Sequence, residues 1–163
     1  MAKDKKIKVA ILMGSKSDLD IVQVAVDLLK TMKVTHEIKV LSAHRTPNDV
    51  IKYVESLPAR GAQVIIAAAG MSAALAGTIA AHTILPVIGI PIESGSLRGM
   101  DSLLSTVQMP KGIPVACMAI GKAGAGNSAI FACQILALQD EKLSKKMVNF
   151  KSDMAKAIRK IKI

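Results

Sequence analysis

At 163 residues, with a formal net charge of +10, 51% apolar side chains and only 2% aromatics, the chain has the size of one domain with a sizeable core of small aliphatic groups. Too few aromatics are present for a base-stacking nucleic-acid surface, because Tyr53, Phe131 and Phe150 stand singly. No leader-like opening and no bilayer-length apolar run is visible, and the two cysteines, Cys117 and Cys133, lack disulfide or metal-site spacing; a soluble protein of a reducing cytoplasm is expected, with neither nucleic acid nor membrane as partner.

Val9 to Met13 is an unbroken apolar run, the signature of a strand covered on both faces of a parallel sheet. Gly14 to Asp18 (GSKSD) follows as a loop with hydroxyls, a cation and free N–H groups, with Ser17 and Asp20 read as a capping pair opening a helix. Such a helix start favours an anion. Ile21, Ala25, Leu28 and Met32 recur at helical spacing. His36, Ile38 and Val40 alternate with Glu37 and Lys39, as on a strand near a sheet edge with one covered face and, at Glu37 and Lys39, one wetter face. Thr46 as N-cap, Pro47 at N1 and Asp49 at N3 start the next helix, which runs to Pro58. Gln63 to Ala69 is a further apolar strand, followed by an Ala-rich helix to about His82. Strands at Pro86 to Ile90 and Val115 to Ile120 alternate with helices at Asp101 to Gln108 and up to Leu138.

Strands alternating with helices along the chain imply right-handed parallel βαβ units in a three-layer α/β/α sandwich, with ligands at the carboxyl ends of the strands. A single catalytic domain is expected, its core at about 7–138 and a C-terminal helix at about 140–162. On that helix Leu143, Met147, Phe150, Met154, Ala157 and Ile161 form a narrow seam, which can fold back on its own domain or pack on a neighbouring subunit.

If the fold is right, the loops Gly14 to Asp18, Ser42 to Arg45 and Gly70 to Gly77 meet on one rim. There His44 is placed to give and take a proton, and Arg45 offers a planar fork for phosphate or carboxylate. Gly14-Ser15-Lys16-Ser17 lacks the order of a Walker loop. Gly124 to Ala129 matches a dinucleotide fingerprint without the acidic strand end it requires. These residues alone describe an α/β protein for a small phosphorylated ligand. A basic nucleic-acid-binding module is the reading from another class.

MGSKSD at Met13 to Asp18, SAHRTP at Ser42 to Pro47, LPVIGIP at Leu85 to Pro91, DSLLSTVQMPKGIPVA at Asp101 to Ala116 and AIGKAGAGNSA at Ala119 to Ala129 together resemble the PurE family of purine biosynthesis. The resemblance covers nearly the whole chain. It implies a flavodoxin-like sheet and a homo-octamer whose C-terminal helix reaches a neighbour. The implied activity moves a carboxylate from the exocyclic nitrogen of carboxyaminoimidazole ribonucleotide to C4 of the ring, without metal or organic cofactor. His44 would be the general acid/base. Ser15, Asp18 and Arg45 would bind the ribonucleotide, Arg45 at the 5′-phosphate and Asp18 at the ribose, in a set completed by Gly14, Ser17, Ser42, Ala43, Gly70, Met71 and Ser72. Where the family's mutases read AGGAAHLPG, this chain has Ala74 for the histidine and Ala76 for the proline. Ser72, Ala74, Leu75 and Gly77 agree instead with the branch that carboxylates aminoimidazole ribonucleotide directly, although that branch has lysine at the position of Arg45.

Overall fold

The computed structural model describes residues 6–162. Five parallel strands, β1 (Val9–Met13), β2 (His36–Val40), β3 (Val64–Gly70), β4 (Val87–Ile92) and β5 (Ala116–Cys117), form one sheet in the order β2-β1-β3-β4-β5. This is the flavodoxin-like order, which reverses direction between β1 and β3. The helices are α1 (Leu19–Thr31), α2 (Pro47–Ser56), α3 (Leu75–Ala81), α4 (Met100–Val107), α5 (Lys122–Ala137) and α6 (Glu141–Arg159).

The period of two along each strand divides the core. Val9, Ile11, Met13, Val64 and Ile66 face α1, α5 and the start of α6. Ala10, Leu12, Ile65 and Ala67 face α2 and α3, meeting Val50, Val54, Leu57, Leu75 and Ile79. Both sheet faces are thus covered, so β1 and the first five residues of β3 are buried outright and carry no polar alternation. On the α2/α3 face Gly89 lets α4 approach, because a Cβ there would run into the Thr106 side chain.

Edge strand β2 is fastened to α2 by a polar cluster. Tyr53 Oη donates to Glu37 Oε1 at 2.8 Å and Arg60 Nη2 to Glu37 Oε2 at 2.7 Å, with the guanidinium 5.7 Å from the Tyr53 ring centre. Glu37, read from alternation as wetter, is therefore half-buried and paired. His36 has a structural use, its Nδ1 lying 2.8 Å from Val34 O.

Three expectations need correction. Strand β5 pairs over Ala116–Cys117 only, instead of Val115 to Ile120. Met118 N still donates to Gly89 O and Gly121 N to Pro91 O, so Gly89 and Pro91 are the β4 residues that face β5. Pro91 has no N–H to give, and the ladder stops. The expected capping pair is also displaced. Ser15, not Ser17, accepts the capping N–H, from Ser17, and starts a short 3₁₀ turn over Lys16–Asp18 before α1. Thr46 precedes α2 without capping it, its hydroxyl turned back onto Ser42 O.

Helix α6 uses its seam in two ways. Leu143 and Met147 are buried and Phe150 packs against the same core, whereas Met154, Ala157 and Ile161 stand exposed. Among the described residues no helix is long and apolar enough to cross a membrane.

Candidate functional site

Strand register builds the site. Met13 lies level with Val40 on one side and Ala68 on the other, and Gly70 is level with Ile92, so the chain leaves neighbouring strands at nearly one height. Backbone bonds carry the ladder a step further, from Leu41 N to Met13 O at 2.9 Å and from Gly14 N to Ala68 O at 3.1 Å. The segments that follow enclose a cleft of about 570 Å³ beside the β1/β3 reversal, where open α/β sheets bind ligands.

Every residue singled out from sequence lines this cleft: Gly14, Ser15, Ser17 and Asp18 from the loop after β1, Ser42, Ala43, His44 and Arg45 from the loop after β2, and Gly70, Met71 and Ser72 from the end of β3. Lys16 is exposed and lies outside the lining. Three lining groups were not singled out as binding residues, namely Ala69, the stretch Ala73 to Leu75, and Ser94 beyond β4. For Ser94 the sequence signal was the turn-rich stretch directly after a predicted strand, the same context that marked the other loops. A smaller cavity of about 280 Å³ lies at the opposite end of the sheet, near Lys8 and Thr35, away from the carboxyl ends of the strands. Among the described residues no group of three His, Cys, Asp or Glu could hold a metal ion.

Arg45 holds the first two loops together. Its Nη2 donates to Gly14 O at 2.8 Å and its Nε to Ser42 Oγ at 3.2 Å, while Ser42 Oγ also accepts from Arg45 N at 3.3 Å. The planar guanidinium is thereby fixed by neutral acceptors, and its remaining N–H groups and its charge stay available to an anion. Gly14 needs no special backbone angle, since it is absent from the positive-φ glycines; a Cβ there would touch only the Ala69 methyl at 4.0 Å. Its use is therefore space beside the cleft rather than a sharp turn.

Asp18 is 8% exposed. Burial pushes its carboxyl above the usual range, against the pull of the Ser17 hydroxyl, the Ser15 backbone bond and the Arg45 charge. Ser17 Oγ lies 2.8 Å from Ser15 Oγ and 3.2 Å from Asp18 Oδ1, so the two hydroxyls and the carboxylate form one short polar chain. Met71 adopts φ 55° and is 61% exposed on the rim, a left-handed conformation that side chains avoid unless the surroundings impose it. His44 is exposed in the isolated chain, at the turn between Ser42 and the Thr46-Pro47 helix start. The site therefore sets an anion-holding guanidinium, a buried carboxylate and one imidazole around a cleft walled by small residues.

Fold and cleft define a flavodoxin-like α/β protein with a carboxyl-end site suited to a small anionic ligand. The family model for AIR carboxylase matches residues 8–157, and the chain belongs to that family. It is similar to the N5-carboxyaminoimidazole ribonucleotide mutase of Bacillus subtilis, at 53% identity over 85% of this chain and 86% of the relative. The mutases of Escherichia coli K12 and Saccharolobus solfataricus are each 49% identical over 90% of this chain and cover 86% and 92% of their own lengths. Among solved structures, Treponema denticola PurE superposes with a TM-score of 0.83 at 30% identity over 92% of both chains.

Proposed function

We propose that the protein is an isomerase of purine biosynthesis that converts N5-carboxyaminoimidazole ribonucleotide into 4-carboxy-5-aminoimidazole ribonucleotide. The reading rests above all on one observation: His44, Arg45, Ser15 and Asp18, from separate loops, line a single cleft. Relatives that bear the mutase name at about half identity over most of the chain support it.

The atom balance explains why one imidazole suffices. The bond from the exocyclic nitrogen to the carboxyl carbon breaks and releases carbon dioxide; the electron-rich C4 of the ring then bonds to that carbon. One proton leaves C4 and one arrives at the nitrogen, so the reaction takes up and releases none overall. A single group that donates in the first half and accepts in the second returns to its starting state, and His44 fills that role. Arg45 takes the 5′-phosphate, with Ser15, Ser17 and Ser42 beside it, and Asp18 accepts from ribose hydroxyls. The aminoimidazole ring supplies its own nucleophilic carbon, and neither metal nor organic cofactor has a step to perform. The small walls of the cleft serve to retain carbon dioxide and exclude water.

The whole chain acts as a single catalytic domain in the cytoplasm, and the assembly is a homo-octamer. The exposed seam residues Met154 and Ile161, with Ile158 beside them, give the C-terminal end of the chain a reason to seek a neighbouring copy; light scattering reads the resulting mass. A second reading, direct carboxylation of aminoimidazole ribonucleotide, draws on Ser72 and Ala74, which line the cleft and match the other branch. The two separate in one assay. Purified protein receives either the carbamate, or aminoimidazole ribonucleotide with bicarbonate, and the C4-carboxylated product is followed. Faster turnover of the carbamate is expected; product from the second mixture alone would replace the mutase with the carboxylase.

A further inference from the structure

His44 carries the proton in both halves of the reaction above, yet among the described residues nothing bonds to its ring. His36 gives the contrast, with Nδ1 2.8 Å from Val34 O. An imidazole that gives a proton at one atom of the ligand and takes one at another needs a fixed place, which a second group on its far nitrogen commonly supplies. For His44 that place has to come from the backbone that carries the ring.

The backbone there is closed on itself. Thr46 N donates to Ser42 O at 2.8 Å, so Ser42 to Thr46 is one turn with His44 at its middle. The Thr46 side chain then holds the same residue twice: Ser42 N donates to Thr46 Oγ1 at 3.3 Å, and Oγ1 donates to Ser42 O at 3.2 Å. A threonine directly before a helix ordinarily offers its oxygen to the free N–H groups of the first turn. Thr46 does not cap α2; its hydroxyl faces backwards into the loop. The base of the turn is anchored on both sides, by Leu41 N on Met13 O at 2.9 Å and by Thr46 O, which accepts from Asp49 N at 3.1 Å and Val50 N at 3.2 Å.

Arg45 shares this turn but has supports of its own. Its Nη2 reaches Gly14 O in a different loop at 2.8 Å, and its Nε reaches Ser42 Oγ at 3.2 Å. Neither bond involves Thr46. Loss of the Thr46 hydroxyl therefore leaves the guanidinium where it is and falls on His44, which has no other hold.

We propose that Thr46 is a positioning residue for the proton transfer: its hydroxyl locks the Ser42–Thr46 turn and so keeps the His44 imidazole in one place for both the donating and the accepting half. This rests on the isomerase reading. Thr46 exchanges no proton with the ligand; the bonds made and broken are the carbon–nitrogen and carbon–carbon bonds already described.

The test measures single turnovers of the carbamate by wild type, Thr46→Val and Thr46→Ser, and by Thr46→Val in the His44→Asn background. Valine keeps the branched shape and removes the hydroxyl, whereas serine keeps the hydroxyl. Thr46→Val should form the C4-carboxylated product about tenfold to about a hundredfold more slowly, the effect of misplacing a catalytic group by about 1 Å. Its affinity for aminoimidazole ribonucleotide should stay at the wild-type value, because Arg45 is held elsewhere. Thr46→Ser should restore most of the rate. In the His44→Asn background no imidazole remains to be placed, and adding Thr46→Val should slow the reaction no further. The lost bonds are exposed ones, so the melting curve should move little; Thr46→Ala, which removes the hydroxyl without the branch, is measured alongside and should match valine. A wild-type rate in Thr46→Val, a loss of affinity as large as the loss of rate, or the same slowing with and without His44 would each overturn the inference and leave the isomerase reading standing. A wild-type protein that fails to convert the carbamate would remove that reading first.

Discussion

Arg45→Lys isolates what the guanidinium does beyond carrying charge. Lysine keeps the cation but concentrates its donors at one point, whereas Arg45 reaches Gly14 O at 2.8 Å and Ser42 Oγ at 3.2 Å from different nitrogens and still presents N–H groups outward. An ammonium cannot bridge both loops and grip a phosphate in the same geometry. The loss on the ligand side is one charge-assisted hydrogen bond, about 1.5–3 kcal/mol, which corresponds to about a tenfold to about a hundredfold rise in Kd. The loss on the protein side is one exposed inter-loop bond, about 0.5–1.5 kcal/mol, and a Tm lower by about 1–6 °C at this chain length. Isothermal titration with aminoimidazole ribonucleotide and with its dephosphorylated nucleoside separates the two. The variant should lose affinity for the nucleotide and keep whatever affinity the nucleoside has. Equal losses on both, or none on the nucleotide, would refute the assignment of Arg45 to the phosphate.

Asp18→Asn should stabilise the free protein at neutral pH and weaken nucleotide binding. Because burial raises the folded-state pKa of Asp18, the unfolded chain ionises first as pH rises, and the folded state loses stability from the ordinary carboxylate range up to the raised value; the deficit persists above it. Melting curves against pH should show the variant's advantage opening over that interval, and an advantage confined to acid would contradict the sign. Arg60→Leu should lower stability by about 2 kcal/mol, between exposed and buried ion pairs, with Tm down by about 4–8 °C. Arg60 holds Glu37 below the usual carboxylate range, so this contribution is present above the unfolded Glu37 value and lost as pH falls through the folded one. The gap between wild type and variant should therefore narrow in acid; a gap independent of pH would remove Glu37 from the explanation.

Much of the fold was legible because β1 and β3 are buried on both faces and so carry uninterrupted apolar runs. What escaped depended on partners distant in sequence. Val115 to Ile120 has the composition of a full strand, yet Pro91 on β4 decides where its pairing ends. Glu37 looked wet by alternation, and only the folded chain brings Tyr53 and Arg60 to it. The Ser17 and Thr46 caps were plausible by type, but each hydroxyl found another oxygen nearby. In the cleft, His44, Arg45 and Asp18 were readable because they follow strands in polar loops. Ser94 sat in the same context, but an isolated serine among turn residues carries no local mark, and only the folded chain packs it against Gly70 across the sheet.

Quenched single turnovers of the carbamate by wild type and His44→Asn test the central claim most directly, with nucleotide affinity measured on the same samples. Asparagine keeps a polar side chain of similar reach without a titrating nitrogen, so the variant should bind the nucleotide as wild type does and form the C4-carboxylated product about 10²–10⁴-fold more slowly, the usual contribution of a positioned acid/base. Product formation at the wild-type rate would show that the proton crosses from C4 to nitrogen without His44 and would contradict the account.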